Sequence, residues 1–410
     1  MNSQSEGTGG GPGFSFFGDQ FIENPFPMFA MARSMGPVLP VPFPYGGQKA
    51  WMVTQLEEAV LVLKDSKRFT VDSNVVYPER ALSQQEREFE APGFLAQSMI
   101  MVDEPDHRRL RGLVSKAFTP KYIQSLRPAI QQIADELLDR VQEREQMDLV
   151  QDYAYPLPIN VISDMLGVPK KNQEKIRRWS EALATGGVGD EEGLQRVHDF
   201  SDYIVNLVAE KRRHPQDDLI SQLIQAETEE DRLSEQELLS MVGLLIFAGH
   251  ETTSNLIGIG TLVLLDHPEQ LARLKADMSL IPSAVEELLR FNSPVVMPMP
   301  RFATEDIELG GQHIGKGDIV ITALASANHD ETLFPQAEEL DIARELNRHI
   351  AFGQGVHICL GAPLARLEGD IAFTTLLKRM PNLRLNVPRE AVTWRGSLNL
   401  RGLNSLPVAF

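Results

Sequence analysis

The stretch FGQGVHICLG, Phe352 to Gly361, holds the only cysteine of the 410-residue chain, Cys359, together with three glycines and His357. A solitary thiol can be an inert core residue, a nucleophile or a metal ligand. Glycines let a loop approach a flat ligand closely, and the APLARLE run that follows opens a helix with Pro363 suited to its first turn. Amides at a helix start stabilise a thiolate, which suits a sulfur bonded to iron. A cysteine protease would need a base in reach, and His357, two residues away on an extended loop, points the same way as Cys359 without touching it. Zinc would need a second cysteine or clustered histidines, and the sequence supplies neither.

Other residues with chemical potential lie upstream. Glu251 and Thr252, in AGHETT (Ala248 to Thr253), form a polar patch inside an otherwise apolar helix, where uncompensated polar groups are costly. Glu287 and Arg290, in EELLR, are three apart on one helix face and close enough to pair. His107 and Arg111 are four apart in DHRRLR and share a face.

The elements that must position these groups are mostly helices. SEQELLSMVGLLIFAGHETTSNLIGIGTLVLLDHPEQ opens with Ser234 and Glu237 spaced as a capping box and runs without proline to Pro268, which predicts one long helix crossing the interior. Periodicity predicts further helices over 122–143, 171–184, 192–213, 219–226 and 282–291. Strand-like runs such as AWMVT (Ala50 to Thr54) lie near the N-terminus, and DIELGGQHIGKGDIVITALASANHD reads as short strands with glycine turns.

Composition bounds the function. With 39 basic against 57 acidic residues the formal charge is −18, which opposes nucleic acid and anionic lipid as partners. The apolar-rich run from Leu238 to Gly249 is shorter than the roughly 20 residues of a membrane span. No signal peptide is evident, so a cytoplasmic protein is expected, with a flexible tail over 1–20 and one catalytic domain over 21–410.

FGQGVHICLG resembles the haem-binding loop of the cytochrome P-450 family of haem-thiolate monooxygenases. EELLR is similar to the family's Glu-x-x-Arg helix motif, and AGHETT to the oxygen-activating segment of its central helix. DEPDHRRLR, DIARELNRHIAFG and LRGLNSLPV continue the likeness in the family's order over most of the chain. The pattern resembles soluble bacterial members, especially the macrolide-hydroxylase group.

The resemblance implies a mainly α fold with small β-sheets, and haem b (iron protoporphyrin IX) held between the central helix and the cysteine loop. Cys359 becomes the iron ligand, its thiolate pushing electron density towards O–O cleavage. Phe352 packs near the haem, His107, Arg111, Arg301 and His357 fall at propionate-binding positions, and Ala248 and Gly249 leave room for O2. Thr252 holds the proton network and Glu251 relays protons, while Arg344 joins Glu287 and Arg290 in a structural charge cluster. Leu244, Leu245, Val295, Val296, Met297, Leu95 and Leu398 are the expected substrate-pocket residues.

The function implied is hydroxylation of a sizeable hydrophobic molecule of polyketide or macrolide, fatty acid, terpenoid or steroid type, an EC 1.14 reaction typical of secondary metabolism. About fifty residues follow Cys359, too few for a fused reductase, so a separate ferredoxin or flavodoxin with its reductase is expected. Arg108, Arg109, Lys116 and Arg366 are candidate docking charges, and a monomer is expected. A peroxide-driven peroxygenase and a non-catalytic haem-binding sensor are the alternatives; the intact Glu251–Thr252 pair argues against both.

Overall fold

The computed structural model describes residues 19–42, 49–78, 95, 97–184, 191–226, 233–345 and 347–410. Helices dominate, with short strands gathered into small sheets. Most of the expected tail lies outside the described residues, and Asp19 and Gln20 already belong to a helix, Asp19–Glu23.

Six helices frame the site and are labelled α1 (Asp106–Ser115), α2 (Pro156–Leu166), α3 (Glu235–Ala248), α4 (Glu251–Asp266), α5 (Ile281–Phe291) and α6 (Ala362–Arg379). All six contribute to the larger apolar core, through residues such as Leu110, Ile162, Leu245, Leu256, Leu288 and Leu367. The capping box forms at α3: the Glu237 amide donates to Ser234 Oγ at 3.2 Å, and the Ser234 amide donates to Glu237 Oε2 at 2.7 Å.

The single long helix expected from 234 onward is two helices, interrupted at Gly249 and His250. Polar side chains bonding back to the helix explain the break. Thr252 Oγ1 donates to the Ala248 carbonyl at 3.3 Å, and His250 Nδ1 lies 2.7 Å from the Ile246 carbonyl, the ladder acceptor of its own amide. The helix expected over 122–143 is likewise split into Pro120–Ser125 and Arg127–Asp139. Pro128 has no N–H for the Gln124 carbonyl, so the ladder cannot run through.

Strands β1 (Val38–Val41), β2 (Ala50–Val53), β3 (Phe69–Thr70), β4 (Arg301–Ala303) and β5 (Ile319–Thr322) form one sheet in the order β1-β2-β5-β4-β3. Its core face gathers Val53, Phe69, Ala303 and Val320. Strands β6 (Trp394–Gly396) and β7 (Arg401–Leu403) pair antiparallel with Arg395 opposite Gly402. The turn between them is sewn to the segment after α5. Leu400 bridges to Val295, the Arg401 amide donates to the Pro294 carbonyl, and the Val296 amide donates to the Asn399 carbonyl, each bond at 2.8 Å.

No helix among the described residues is long and apolar enough to cross a membrane.

Candidate active site

Cys359 lies where a glycine-bent loop meets α6. Its amide donates to the Phe352 carbonyl at 2.9 Å and closes the loop. Gly353 and Gly355 have φ of 70° and 74°, a left-handed region open to glycine at little cost. A Cβ on Gly355 would come within 2.3 Å of the Leu63 carbonyl oxygen, so the loop is pressed against the preceding helix 56–64. Protein encloses the thiol except where it faces a cavity. Burial pushes the Cys359 thiol up, while the Gly361 and Ala362 amides and the Arg111 and Arg366 guanidiniums act in the opposite direction.

The cavity above the sulfur has a volume of about 370 Å³. One wall is helical, with Leu244, Leu245, Ala248, Gly249 and Thr252. A Cβ on Gly249 would lie 2.5 Å from the Leu245 carbonyl oxygen and 2.6 Å from Ile162, so a larger residue here needs both the backbone of α3 and the Ile162 side chain of α2 to shift. Val295 and Met299 line the cavity from the segment after α5, Met99 and Ile100 from the segment before α1, and Phe352 from the cysteine loop.

Four cationic or imidazole side chains meet at one edge. His107, Arg111, Arg301 and His357 all line the cavity, and the rings of His107 and His357 are 4.4 Å apart. His107 Nδ1 and His357 Nε2 are buried without a hydrogen-bond partner. His357 Nε2 lies 3.5 Å from Asp103 Oδ1. Burial, with the charges of His357 and Arg111, pushes His107 down to about 4, and burial also lowers Arg111 and Arg301. Buried donors facing an apolar cavity, with Asp103 beside His357 and Glu104 3.9 Å from His107 Nδ1, suit an anionic ligand that contributes carboxylates of its own.

Asp103 was not singled out from the sequence, although it begins the DEPDHRRLR motif. Burial would raise its carboxyl, but the nearby His357 ring, the Thr70 hydroxyl and the Val71 amide outweigh this and hold it below the usual range. Glu368 on α6 was also missed. It is 1 % exposed and lines the cavity; burial pushes its carboxyl up to about 8, with the neighbouring Thr253 hydroxyl acting against the shift. A signal was present, an acid on the inward face of the helix that follows the cysteine loop.

Thr252 lines the cavity, whereas Glu251 faces away from it. Glu251 is 1 % exposed and forms an ion pair with Arg395 Nη1 at 2.8 Å.

With this geometry in view, comparison with known proteins decides the family. The sequence profile described as "Cytochrome P450" matches residues 189–381. The polyketide biosynthesis cytochrome P450 PksS of Bacillus subtilis is 42 % identical over 395 residues, covering 96 % of this chain and 97 % of the relative. The 6-deoxyerythronolide B hydroxylase of Saccharopolyspora erythraea is 40 % identical over 402 residues, covering 95 % and 97 %. Among solved structures, myxobacterial CYP267B1 in complex with myristic acid superposes with a TM-score of 0.89 at 39 % identity, over 96 % of this chain and 98 % of that one.

The chain belongs to the cytochrome P-450 family. It is a monooxygenase with the P-450 fold, and the family implies a haem-thiolate cofactor, a hydrophobic substrate, O2 and a redox partner. The residues present fit a haem. A thiol faces the cavity from a loop that glycines allow to pack closely, and orphaned imidazole nitrogens and two arginines wait at its edge.

In this P-450 the charge cluster has a wholly buried centre, Glu287 with Arg290, and a partly buried third member, Arg344. Glu287 and Arg290 are both 0 % exposed. Arg290 Nε and Nη2 each donate to a Glu287 oxygen at 2.8 Å, and Arg344 Nε donates to Glu287 Oε2 at 3.1 Å. Asn347 and the Asp341 amide, neither anticipated, complete the acceptor's shell at 3.0 Å each. Arg290 Nη1 reaches the carbonyls of Asn328 and Ala337 at 3.0 and 2.8 Å, and Asn328 Oδ1 accepts from the Ile350 amide at 2.8 Å. The cluster therefore fixes the 328–350 segment that leads into the cysteine loop.

Four expected pocket residues do not line the cavity. Val296 and Met297 pack with Phe21, Phe29 and Met52, with Leu398 against the same cluster. Val295 is in extended backbone, so its neighbour Val296 points to the opposite face. Leu95 is buried in the helical core, and Met99 and Ile100 of the same segment take the lining places. Two docking charges are also engaged elsewhere. Arg109 pairs with Glu237 and Asp106, and Arg366 binds Glu286 at 2.6 Å and lies over the Phe352 ring at 4.5 Å.

Proposed function

We propose that this P-450 hydroxylates a sizeable hydrophobic molecule of the polyketide or fatty-acid type, using O2 and two electrons from a separate ferredoxin or flavodoxin. One oxygen atom enters a C–H bond, and the other leaves as water with two protons and the two electrons. The observation that carries the reading is the apolar cavity directly above the Cys359 sulfur, with Thr252 in its helical wall. The relatives named for polyketide biosynthesis and 6-deoxyerythronolide B, and the structural relative holding myristic acid, support these substrate classes.

The cofactor we propose is haem b, with Cys359 as its thiolate ligand. Bound there, it would supply the oxidising chemistry that no side chain can supply alone. The Gly361 and Ala362 amides temper the donor strength of the sulfur. His107, Arg111, Arg301 and His357 bind the two carboxylates. Leu244, Leu245 and Val295 exclude water and orient an apolar substrate. Thr252 holds a proton at its hydroxyl, and Glu251 exchanges protons with the solvent side. We place the protein in the cytoplasm as a monomer. Arg108, 83 % exposed at its side chain while its Nε lies 3.2 Å from Glu104 Oε2, and Lys116 are the proposed partner-docking charges.

The test is the haem spectrum of the purified protein titrated with a macrolactone, a long-chain fatty acid, a terpenoid and a steroid. A saturable spectral shift with the macrolactone or fatty acid, followed by O2-dependent hydroxylation with ferredoxin, supports the reading. Faster turnover with hydrogen peroxide alone would replace it with a peroxygenase.

A further inference from the structure

Arg366 stands on α6, one helix start beyond Cys359, and does not line the cavity. It is nonetheless held in one geometry. Nε donates to Glu286 Oε1 at 2.6 Å and Nη2 to Glu286 Oε2 at 2.8 Å, a two-point fork that fixes the plane of the guanidinium. Glu286 belongs to α5 and precedes Glu287 of the buried cluster, so the clamp is anchored in the core. His349, 2 % exposed at its side chain, places Nε2 3.1 Å from Glu286 Oε2 and accepts from the Ala351 amide at Nδ1, also at 3.1 Å. Its ring therefore ties the carboxylate to the start of the cysteine loop.

The clamped cation faces that loop. Its guanidinium carbon lies 4.5 Å from the centroid of the Phe352 ring, within the range where an aromatic face attracts a cation. Phe352 lines the cavity, and its carbonyl accepts the Cys359 amide at 2.9 Å. The charge also acts on the sulfur. Arg366 works against the rise that burial imposes on the Cys359 thiol, and the sulfur adds to the rise that Glu286 imposes on Arg366. Arg111, which also acts on the sulfur, lines the cavity among the carboxylate-binding residues. Arg366 brings its charge from outside the cavity, where no ligand of the cavity touches it.

We propose that Arg366, clamped by Glu286, is a positioning residue that sets the donor strength of the Cys359 thiolate and thereby the ease of haem reduction. It acts in two ways. Its charge withdraws electron density from the sulfur, and its contact with Phe352 holds the residue whose carbonyl closes the loop. One electron from the redox partner adds one negative charge to the iron and its thiolate, so a fixed cation outside the cavity favours the reduced form. Glu286 offsets part of that charge, so the two partners of the clamp have opposite effects. The proposal rests on the reading that Cys359 is the haem ligand.

The experiment uses the haem-loaded protein and three variants, Arg366→Gln, Arg366→Lys and Glu286→Gln. The readouts are the haem midpoint potential from a spectroelectrochemical titration and the C–O stretching frequency of the reduced protein under carbon monoxide, both taken without ferredoxin. In Arg366→Gln the potential should become more negative, by at least about threefold in the reduction equilibrium, and the C–O stretch should fall as a more electron-rich iron feeds the bound carbon monoxide. Arg366→Lys should recover most of the wild-type potential, because the charge remains. Glu286→Gln should move the potential the other way, since its amide oxygen still accepts from Arg366 but no longer offsets the charge. Unchanged potential and frequency in Arg366→Gln overturn the proposal, and a change confined to the dependence on ferredoxin concentration makes Arg366 a docking charge instead. If Arg366→Gln retains no haem, Glu286→Gln decides: a potential that is unchanged or more negative than wild type overturns the proposal. Wild-type protein without the red-shifted band of a thiolate-ligated haem would instead remove the cofactor reading beneath it.

Discussion

Thr252 both lines the cavity with its hydroxyl and bonds back to the helix, 3.3 Å from the Ala248 carbonyl. Replacing it with alanine removes a proton-holding group and leaves the apolar walls in place. Thr252→Ala should keep haem and substrate binding and lower product formation by about tenfold or more, with the missing electrons recovered as hydrogen peroxide. Product yield per NAD(P)H consumed measures this; an unchanged yield would remove Thr252 from the reaction. At Arg290 the consequence is structural. Arg290→Ala leaves Glu287 buried with Arg344 as its remaining cation, at a cost of about 3–5 kcal/mol. The purified variant should contain little haem and unfold at lower urea, and full haem content would contradict the role given to the cluster.

At the scale of elements, the cysteine loop depends on contact with helix 56–64. Gly355→Ala forces a left-handed φ on a residue with a Cβ and drives that Cβ into the Leu63 carbonyl. It should cost at least about 1 kcal/mol and release haem faster to apomyoglobin than wild type does, whereas Gly311→Ala, with nothing within 4 Å of its Cβ, should retain haem like wild type.

Much of this arrangement was legible beforehand. The Glu287–Arg290 pair follows from local spacing, and the period marks where helix lies, though not the breaks that split the runs from 122 and from 234. Contacts across the fold were hidden. The alternation that turns Val296 away while Val295 lines the cavity needs the bridge to Leu400. The pairing of Glu251 with Arg395, and the burial of Glu368, join residues more than a hundred positions apart. Gly249 and His250 were visible as residues, yet the break they make depends on how the Thr252 and His250 side chains reach the carbonyls of Ala248 and Ile246.

Over the whole molecule, one acid-sensitive contact lies where α5 meets α6. Burial would raise the Glu286 carboxyl, but hydrogen bonds from His349 and Arg366 outweigh it and bring the group down to about 2. Since the folded value lies below the ordinary value of 4.5, the stabilisation is present in full above pH 4.5 and is lost as the pH falls towards 2. Glu286→Gln should therefore lower the urea midpoint at pH 7 and narrow its difference from wild type between pH 4.5 and 3. An equal difference at both ends of that range would contradict the assignment.

The central claim is that Cys359, set on its glycine loop at the floor of the cavity, is the single thiolate that holds a haem. The most direct measurement is the absorption spectrum of the reduced protein under carbon monoxide, compared with Cys359→Ser prepared in the same way. The wild-type protein should show the strongly red-shifted Soret band of a thiolate-ligated haem, and the variant should lose it. A red-shifted band that survives in Cys359→Ser, or wild-type protein that binds no haem, would contradict the account.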